Sequence, residues 1–346
     1  MIPIIGKRAK EVLFAVIDDF IKYGGPVGSR TVSKRNDVDV SSATIRNIMS
    51  DLEEIGFLEQ PHTSAGRVPT DLAFRFYVDS LIKVSDLTKI EAHEMERNIN
   101  PSSNELRDVI KETSRVLSEI SKYTALVSTP SFTDTFFRQI DLVKLSENRI
   151  LAILVSRSGM IFNKIVINEE SLDQEKLDWM SRYLNDILLD LTLVEVRKKI
   201  LEEMKKEKNL YDELLQKALT LSDKIINEEI IDEEIYIEGK TYIFSYPEFT
   251  DIDKMKRIFE TFENKHNLLS LLEKVAKADG IKVFIGTESK IQYISDCTLI
   301  ASPYEKDGQV LGSIGVIGPM RMDYSKVIPV VEFAANLVTK ILRDKN

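Results

Sequence analysis

The sequence has little of the chemistry that marks secreted or membrane proteins. Its 346 residues include one cysteine, Cys297, which excludes a disulfide framework within the chain and fits a reducing cytoplasm. No apolar run approaches the roughly 20 residues that a helix needs to span a bilayer, and the N-terminus lacks the apolar core and cleavage site of a signal peptide. These features predict a cytoplasmic protein that has no membrane association.

Patterns for catalysis and metal binding are also scarce. None of the three histidines lies at metal-ligand spacing from another candidate ligand, and there is no G-x-S-x-G nucleophile elbow. Gly312, Gly315 and Gly318 form a GxxGxxG series, but they interrupt an alternating strand pattern and do not form the strand-to-helix turn of a dinucleotide site. We therefore expect no enzyme activity, no metal and no cofactor.

The segment 41–70 carries the most specific pattern in the chain. Its opening serines are good N-cap residues, apolar residues then recur at helical spacing, and Gly56 ends the helix. The opposite face presents Arg46 and Asn47, which can make bidentate contacts with guanine and adenine edges, whereas acidic residues crowd the last turns and would repel phosphates. This pattern predicts a recognition helix over Ser41–Ile55, whose N-terminal half enters the major groove of DNA. The stripe expected to be buried is Ile45, Ile48, Met49, Leu52 and Ile55.

A short hairpin is predicted directly after this helix. Phe57–Gln60 is predicted to be a strand, Pro61–Gly66 a turn in which Gly66 is free to take a positive φ, and Arg67–Pro69 the returning strand. Polar side chains of the hairpin can donate to phosphate or to the minor groove. They are His62, Thr63, Ser64 and Arg67.

Two helices are predicted upstream of the recognition helix. Apolar residues at helical spacing mark a first amphipathic helix, and Pro26–Ser29 caps a short second helix that exposes Arg30, Lys34 and Arg35. Together with the hairpin, these helices predict a winged helix-turn-helix domain over residues 1–84. Because protein-binding winged helices share the pattern, a protein contact stays open as the alternative. The candidate DNA-binding residues are Arg30, Thr31, Ser41, Ser42, Thr44, Arg46, Asn47, Ser50, His62, Thr63, Ser64 and Arg67.

The net charge of −9 is unusual for a DNA-binding protein, but it is unevenly distributed. Residues 168–238 carry twice as many Asp and Glu residues as Lys and Arg residues, and the remainder of the chain is close to neutral. Within residues 1–70 the two signs balance. Such a modest positive footprint predicts few phosphate contacts per subunit, so that useful affinity depends on dimerisation.

The rest of the chain predicts a mixed α/β body that is interrupted by a helical insertion. Residues 98–104 are the clearest linker, and residues 170–230 have helical periodicity and contain no Gly or Pro. Further helices are predicted at 71–84, 105–123, 251–262 and 265–278 and from Tyr324 onward. Strands are predicted at 124–128, 137–145, 149–156, 160–167, 235–237, 241–245, 281–285, 297–304 and 308–317.

Two segments give the chain a specific resemblance to the HrcA family of bacterial heat-inducible transcription repressors. They are SSATIRNIMSDLEEIGFLEQPHTSAGRVPTDLAFRFYVD, Ser41–Asp79, and DGQVLGSIGVIGPMRMDYSKVIPVVEFAANLV, Asp307–Val338. The matches lie near opposite ends of the chain, and the length and domain order agree with the family. The resemblance therefore covers essentially the whole chain, although over residues 168–238 it is a match of architecture only.

The resemblance implies an α+β multidomain protein. It implies a winged helix-turn-helix domain at 1–84, a linker at 85–104, a discontinuous GAF-like α/β domain at 105–167 and 239–346, and a mainly helical dimerising domain inserted at 168–238. It further implies a homodimer that binds double-stranded inverted-repeat operator DNA upstream of chaperone operons and represses their transcription. The family's active state is supported by the chaperonin, which the resemblance implies as a partner.

By the same resemblance, the family's DNA-contacting helix corresponds to Ser41–Ile55 and its wing to Pro61–Arg67. Two alternatives stay open on this sequence. In one, the protein is a ligand-responsive regulator or a protein-interaction module, because GAF-type domains often bind small ligands, although no residue here indicates such a pocket. In the other, the apolar stripe of the C-terminal helix forms the dimer interface instead of the inserted residues 168–238.

Overall fold

The computed structural model describes residues 3, 5–35, 40–62, 65–81, 89–99, 106–129, 136–157, 161–168, 172–206, 213–225, 235–306 and 308–344. The chain folds into mixed helix and sheet, and it divides into two compact units. The body unit comprises Met1–Ser128, Ile235–Glu305 and Gly312–Asn346, and the inserted unit comprises Thr129–Glu234 and Lys306–Leu311.

The elements follow one another in a mixed order along the chain. The helices are α1 (Lys7–Tyr23), α2 (Ser29–Val32), α3 (Ser42–Glu54), α4 (Asp71–Leu81), α5 (Lys89–Asn98), α6 (Leu106–Ser121), α7 (Gln174–Leu188), α8 (Leu193–Lys206), α9 (Glu213–Ile225), α10 (Ile252–Glu263), α11 (His266–Ala276) and α12 (Tyr324–Asp344). The strands are β1 (Leu58–Glu59), β2 (Val68–Pro69), β3 (Thr124–Ser128), β4 (Phe137–Ser146), β5 (Arg149–Ser156), β6 (Ile161–Ile167), β7 (Ile235–Glu238), β8 (Lys282–Ile285), β9 (Cys297–Lys306) and β10 (Gln309–Pro319).

The N-terminal module, which comprises α1–α4, β1 and β2, packs around an apolar core. Leu13 and Ile17 of α1, Ile45 and Leu52 of α3, and Phe57 after α3 are all buried. Burying an apolar side chain of this size stabilises a fold by about 1.5–3 kcal/mol. The helical spacing that predicted α1 and α3 from the sequence is thus the spacing of residues that enter this core.

The body unit is built on a five-stranded sheet with the strand order β7-β3-β10-β9-β8. β3 runs antiparallel to both β10 and β7, and β8 runs antiparallel to β9. Gly315 of β10 lies so close to β9 that a Cβ atom would sit 2.6 Å from both the Ala301 Cβ and the Ile300 carbonyl oxygen. The glycine series is therefore part of a strand, as the alternating pattern predicted. α11 contacts the sheet through buried Leu268 and Leu272.

Two predictions for the body unit are wrong. The expected linker 85–104 contains α5, and Met95 on this helix and Ile99 directly after it are both buried. The strand expected at 241–245 is a 3₁₀ helix, because Gly239 takes a φ of +71° after β7 and turns the chain away from the sheet.

The inserted unit pairs a three-stranded antiparallel sheet, in the order β4-β5-β6, with α7–α9. Polar side chains of α7 bond the backbone of β4: the Asn185 side chain accepts from Ile140 N–H at 2.7 Å and donates to its carbonyl at 3.1 Å, and Ser181 Oγ accepts from Leu142 N–H at 3.0 Å. These bonds join the strands to the helices. The boundary expected at residue 168 is therefore displaced, since the strands before it belong with the insertion and not with the five-stranded sheet.

One face of the three-stranded sheet is mainly apolar and is open to solvent in the single chain. Alternate residues of β5 are buried, and the residues between them are half-exposed, so the two faces of the sheet are clearly separated. Val143 of β4 pairs with Leu151 of β5, which pairs with Ile165 of β6, so these side chains form one row across the sheet. We call this surface the open sheet face. Its apolar members are Val143, Leu151, Ile153, Val155, Ile161, Ile165 and Ile167.

Candidate nucleic-acid interface

The first turn of α3 is fixed by hydroxyl side chains. Ser41 is the N-cap in extended backbone conformation, and its Oγ accepts a hydrogen bond from the Thr44 backbone N–H at 3.2 Å. The Ser42 hydroxyl lies 3.3 Å from the Ser29 hydroxyl, so the starts of α2 and α3 meet. Ser41, Ser42 and Thr44, proposed as DNA-binding residues, therefore also help to position the helix.

The outward side of α3 carries the candidate readout residues. Arg46, Asn47 and Ser50 are exposed. Of the predicted apolar stripe, Ile48 is half-buried. The fully buried members are Ile45, Met49 and Leu52. The helix thus places a guanidinium and a carboxamide in solvent at neighbouring positions, and these are the groups that recognise guanine and adenine edges.

The predicted stripe is wrong at its last member. Ile55 is 42% exposed, because α3 ends at Glu54 and Ile55 lies beyond it as the C-cap. Gly56 follows with a φ of +81°, and the Phe57 N–H donates to the Leu52 carbonyl at 2.9 Å, which is the Schellman arrangement of a helix end. Phe57 takes the buried position instead.

The hairpin after α3 is present, and β1 and β2 pair antiparallel. His62 is exposed in the turn, where its carbonyl accepts from the Ala65 N–H at 2.9 Å. Thr63 and Ser64, two of the proposed DNA-binding residues, lie outside the described residues.

Gly66 in the hairpin is needed for a close backbone contact and not for the positive φ that the sequence predicted. Gly66 has no positive φ. It is needed because the chain passes very close to the segment between α1 and α2: a Cβ atom on Gly66 would lie 2.4 Å from the Val27 carbonyl oxygen. Val27 and Arg67 exchange two backbone hydrogen bonds of 2.9 Å each, which add a third segment beside β2. Only glycine permits this approach.

The Arg67 side chain lies against α3 and does not extend from the hairpin tip. Its Nε and Nη2 atoms each lie 2.8 Å from Oε2 of Glu53, in the last turn of α3. Both side chains are largely shielded, with 21% of Arg67 and 32% of Glu53 exposed. The ion pair joins the hairpin to the helix, so this guanidinium neutralises a carboxylate of the protein.

The short helix α2 presents a smaller basic surface than its sequence suggests. Arg30 and Thr31 are exposed, as expected of DNA-contacting residues. Arg35 is turned inward, where its guanidinium bonds Asp19 at 3.0 Å and Asp18 at 3.3 Å on α1. The prediction that α2 exposes Arg35 is therefore wrong, because this residue anchors the end of α2 to α1.

Other potential sites in the described part of the chain are limited. No group of three or more His, Cys, Asp or Glu residues could hold a metal there. In the same ranges, no helix combines the length and the apolar character needed to cross a membrane. A cavity of about 460 Å³ lies within the body unit. Several polar groups of its lining already have partners within the protein: the Tyr77 hydroxyl donates to Asp18 at 2.7 Å, and Arg321 pairs with Glu248 and donates to the Ile21 carbonyl at 3.2 Å.

Comparison with known proteins identifies relatives along the whole chain. A family model described as HrcA protein C terminal domain matches residues 107–328. Two curated proteins named heat-inducible transcription repressor HrcA are similar to this chain: that of Syntrophobacter fumaroxidans is 43% identical and that of Geobacter sulfurreducens is 45% identical. Each alignment covers 98% of this chain and 98% of the relative.

A solved structure supports the same fold. It is a crystal structure described as that of a hypothetical protein, and it matches with a TM-score of 0.65 and 23% identity, covering 99% of this chain and 100% of the other. Both curated relatives are named as transcription repressors, which are regulators and not enzymes. Because relatives of 43% and 45% identity match over 98% of its length, the chain belongs to the HrcA family of heat-inducible transcription repressors.

Proposed function

We propose that this protein is a dimeric repressor whose N-terminal module is a winged helix that reads an inverted-repeat operator. The observation that carries the proposal is the surface of α3. Arg46 and Asn47 are exposed near its N-terminal end, the helix is capped by Ser41, and its last turn is joined to the hairpin by Glu53 and Arg67. A helix held in this way can enter the major groove while the hairpin lies against the flanking DNA backbone.

The family resemblance supplies the targets and the regulator in this proposal. The operator lies upstream of chaperone operons, the chaperonin supports the active state, and the protein acts in the cytoplasm. The part of the body unit that follows the N-terminal module is a GAF-like scaffold, and the inserted unit is the dimerising domain. Operator affinity measured with and without purified chaperonin tests the regulatory part, because an affinity that the chaperonin leaves unchanged contradicts it.

A second copy of the chain is the proposed occupant of the open sheet face. In the single chain, Ile161 is 67% exposed, Ile165 46% and Ile167 71%. A contiguous exposed apolar surface of this kind marks an interaction site. A two-fold axis brings the same patch of each copy together, and the face carries charges of both signs, Asp141 and Arg149, that can pair across it.

The burial of the C-terminal helix argues against the alternative dimer surface that its sequence suggests. Its apolar stripe is already covered within one chain, where Val331 and Val338 are 0% exposed and Ile328 is 2% exposed. The helix packs against α6 in the body unit. This burial favours the inserted unit as the source of the dimer contact.

A gel shift with an inverted-repeat operator tests the proposed function, and Arg46→Ala tests the readout. If Arg46 contacts a base, the variant loses about 1–3 kcal/mol of specific binding while its affinity for unrelated DNA changes little. Arg97→Ala is the matched control, because Arg97 is an exposed arginine on α5, which is not part of the N-terminal module. If the Arg46 variant keeps the operator affinity and specificity of the parent protein, Arg46 does not contact a base.

Arg67→Ala tests whether the hairpin arginine contacts phosphate or positions the hairpin. Because its guanidinium is paired with Glu53, we expect weaker operator binding with an unchanged dependence of log affinity on log salt concentration. Glu53→Gln should have a similar effect, since it breaks the same ion pair without removing a positive charge. A salt slope reduced by about 1 per subunit would instead show a phosphate contact by Arg67.

A further inference from the structure

The segment DLAFRFYVD follows the hairpin and forms most of α4. Two of its polar side chains, Asp71 and Arg75, contact the turn after β8 in the sheet of the body unit. The Asp71 carboxylate accepts from both the backbone N–H and the hydroxyl of Thr287, at 3.2 and 3.1 Å. Four residues along the same helix, Arg75 pairs with Glu288, with Nε 2.9 Å from Oε1.

The turn after β8 is shaped to receive α4. Gly286 has a φ of +53°, and a Cβ atom there would lie 2.5 Å from Oδ2 of Asp71, so a side chain at this position would displace the Asp71 carboxylate. Glu288 is itself held in place, because its Oε2 accepts from the Ile285 N–H at 2.9 Å. Arg75 also donates to the Val283 carbonyl of β8. The Glu288 carboxylate is thus held by the backbone of its own turn as well as by Arg75.

Apolar contacts and a second polar bridge complete the attachment. The ring of Tyr324, at the start of α12, lies 5.9 Å from that of Phe74 and 6.5 Å from that of Tyr77, between ring centroids. Separately, Arg321 donates to the Ile21 carbonyl near the end of α1 at 3.2 Å. The N-terminal module is therefore attached through α4 to the turn after β8 and to the start of α12, and through α1 to the turn after β10, so that a rotation of the module would break at least one attachment.

We propose that Asp71, Arg75 and Glu288 are positioning residues that fix the direction of the two recognition helices in the dimer and thereby set which half-site spacing the repressor accepts. This inference rests on the proposed function. A rigidly held pair of helices matches one spacing only, because half-sites must recur at whole turns of the DNA, about 10–10.5 base pairs. Loosely tethered helices tolerate other spacings but bind the correct one less tightly.

The experiment compares the full-length protein with Arg75→Met and Glu288→Gln. Each is titrated with three duplexes: the operator, the operator with about 5 base pairs added between its half-sites, and a single half-site. Five base pairs turn one half-site to the opposite face of the DNA. Arg115→Met is the matched control, because Arg115 forms two ion pairs on the exposed surface of α6, with Glu112 and Glu119.

We expect the ratio of affinities for the correct and the lengthened operator to fall by about tenfold in both docking variants, within the range of effective concentrations that linker stiffness controls. Half-site affinity and the dimer should not change, and Arg115→Met should behave as the parent protein. If Arg75→Met or Glu288→Gln folds but keeps the parent's ratio of affinities for the correct and the lengthened operator, this inference is wrong and the proposed function still stands. A parent protein that does not prefer the inverted repeat over unrelated DNA overturns the proposed function and this inference with it.

A second measurement does not depend on DNA. Spin labels at Asp51→Cys on α3 and Glu273→Cys on α11, both exposed positions, report the distance between the N-terminal module and the sheet. The native thiol of Cys297 is buried, with 2% of the residue exposed, so we expect the spin label to react at the two introduced cysteines. With labelled chains diluted in unlabelled protein, the distance distribution should broaden in Arg75→Met and stay narrow in Arg115→Met. A distribution that is equally narrow in both contradicts the positioning role.

Discussion

Ile165→Lys is expected to convert the dimer into a monomer and to lower operator affinity by about a hundredfold or more. Ile165 lies in the row Val143–Leu151–Ile165 of the open sheet face and is 46% exposed in the single chain. In a dimer that covers this face, the ammonium group would be removed from water without a partner, which is strongly unfavourable. The affinity loss follows because binding two half-sites through one dimer exceeds single-site binding by about 10²–10⁴-fold.

Sedimentation decides the first part of this prediction and a gel shift the second. Ile252→Lys is the matched control, because it makes the same substitution on a different surface. Ile252 is 77% exposed at the start of α10 in the body unit. That variant should remain a dimer and bind the operator normally. An Ile165→Lys protein that sediments as a folded dimer would move the interface away from the open sheet face.

The helices of the N-terminal module could be predicted from the sequence because their signals are local. Ile45, Met49 and Leu52 recur at helical spacing, and Gly56 ends α3 in a conformation that glycine adopts without strain. Ile55 shows the limit of this reasoning. Helical spacing continues by one residue beyond the point at which the backbone leaves the helix, so the pattern extended the buried stripe too far.

The partners of Gly66 and Arg67 could not be predicted, because both lie far away in the sequence. A glycine in a hairpin turn usually supplies a positive φ, whereas Gly66 is required by the backbone of Val27. An arginine beside a predicted DNA surface indicates a phosphate contact, whereas Arg67 is held by Glu53 of α3. Both outcomes depend on how the hairpin folds back on the helices, which no local pattern specifies.

The extent of the insertion was hidden for a related reason. Alternating apolar residues predict the strands that begin at Phe137, Arg149 and Ile161, but alternation does not say which sheet a strand joins. The bonds of Asn185 and Ser181 to β4 are what assign these strands to the helices of the inserted unit. The sequence of β5 and β6 does carry one further signal. Both faces of these strands bear apolar residues, and a single chain buries only one of the two faces, which indicates a partner for the other.

Gly66→Ala is expected to destabilise the N-terminal module and to abolish tight operator binding. The added methyl group would meet backbone atoms only, 2.4 Å from the Val27 carbonyl oxygen and 2.5 Å from its carbonyl carbon, and no side chain can move to relieve the clash. Overpacking of this kind costs about 1–3 kcal/mol, and separating the two segments also breaks both hydrogen bonds between Val27 and Arg67. The hairpin then loses its attachment beside α3.

Amide hydrogen exchange in the full-length protein measures this opening directly. The Val27 and Arg67 amides should exchange on the order of a hundredfold faster in Gly66→Ala, which corresponds to about 2.7 kcal/mol of local stability. Gly25→Ala should leave both amides protected, because a methyl group there meets nothing within 4 Å and its backbone has no positive φ. Gly56→Ala separates the two causes, since its site is open but its φ is +81°. That variant should cost about 1 kcal/mol through strain alone. Protected amides in Gly66→Ala would show that the hairpin reaches its place without the close approach to Val27.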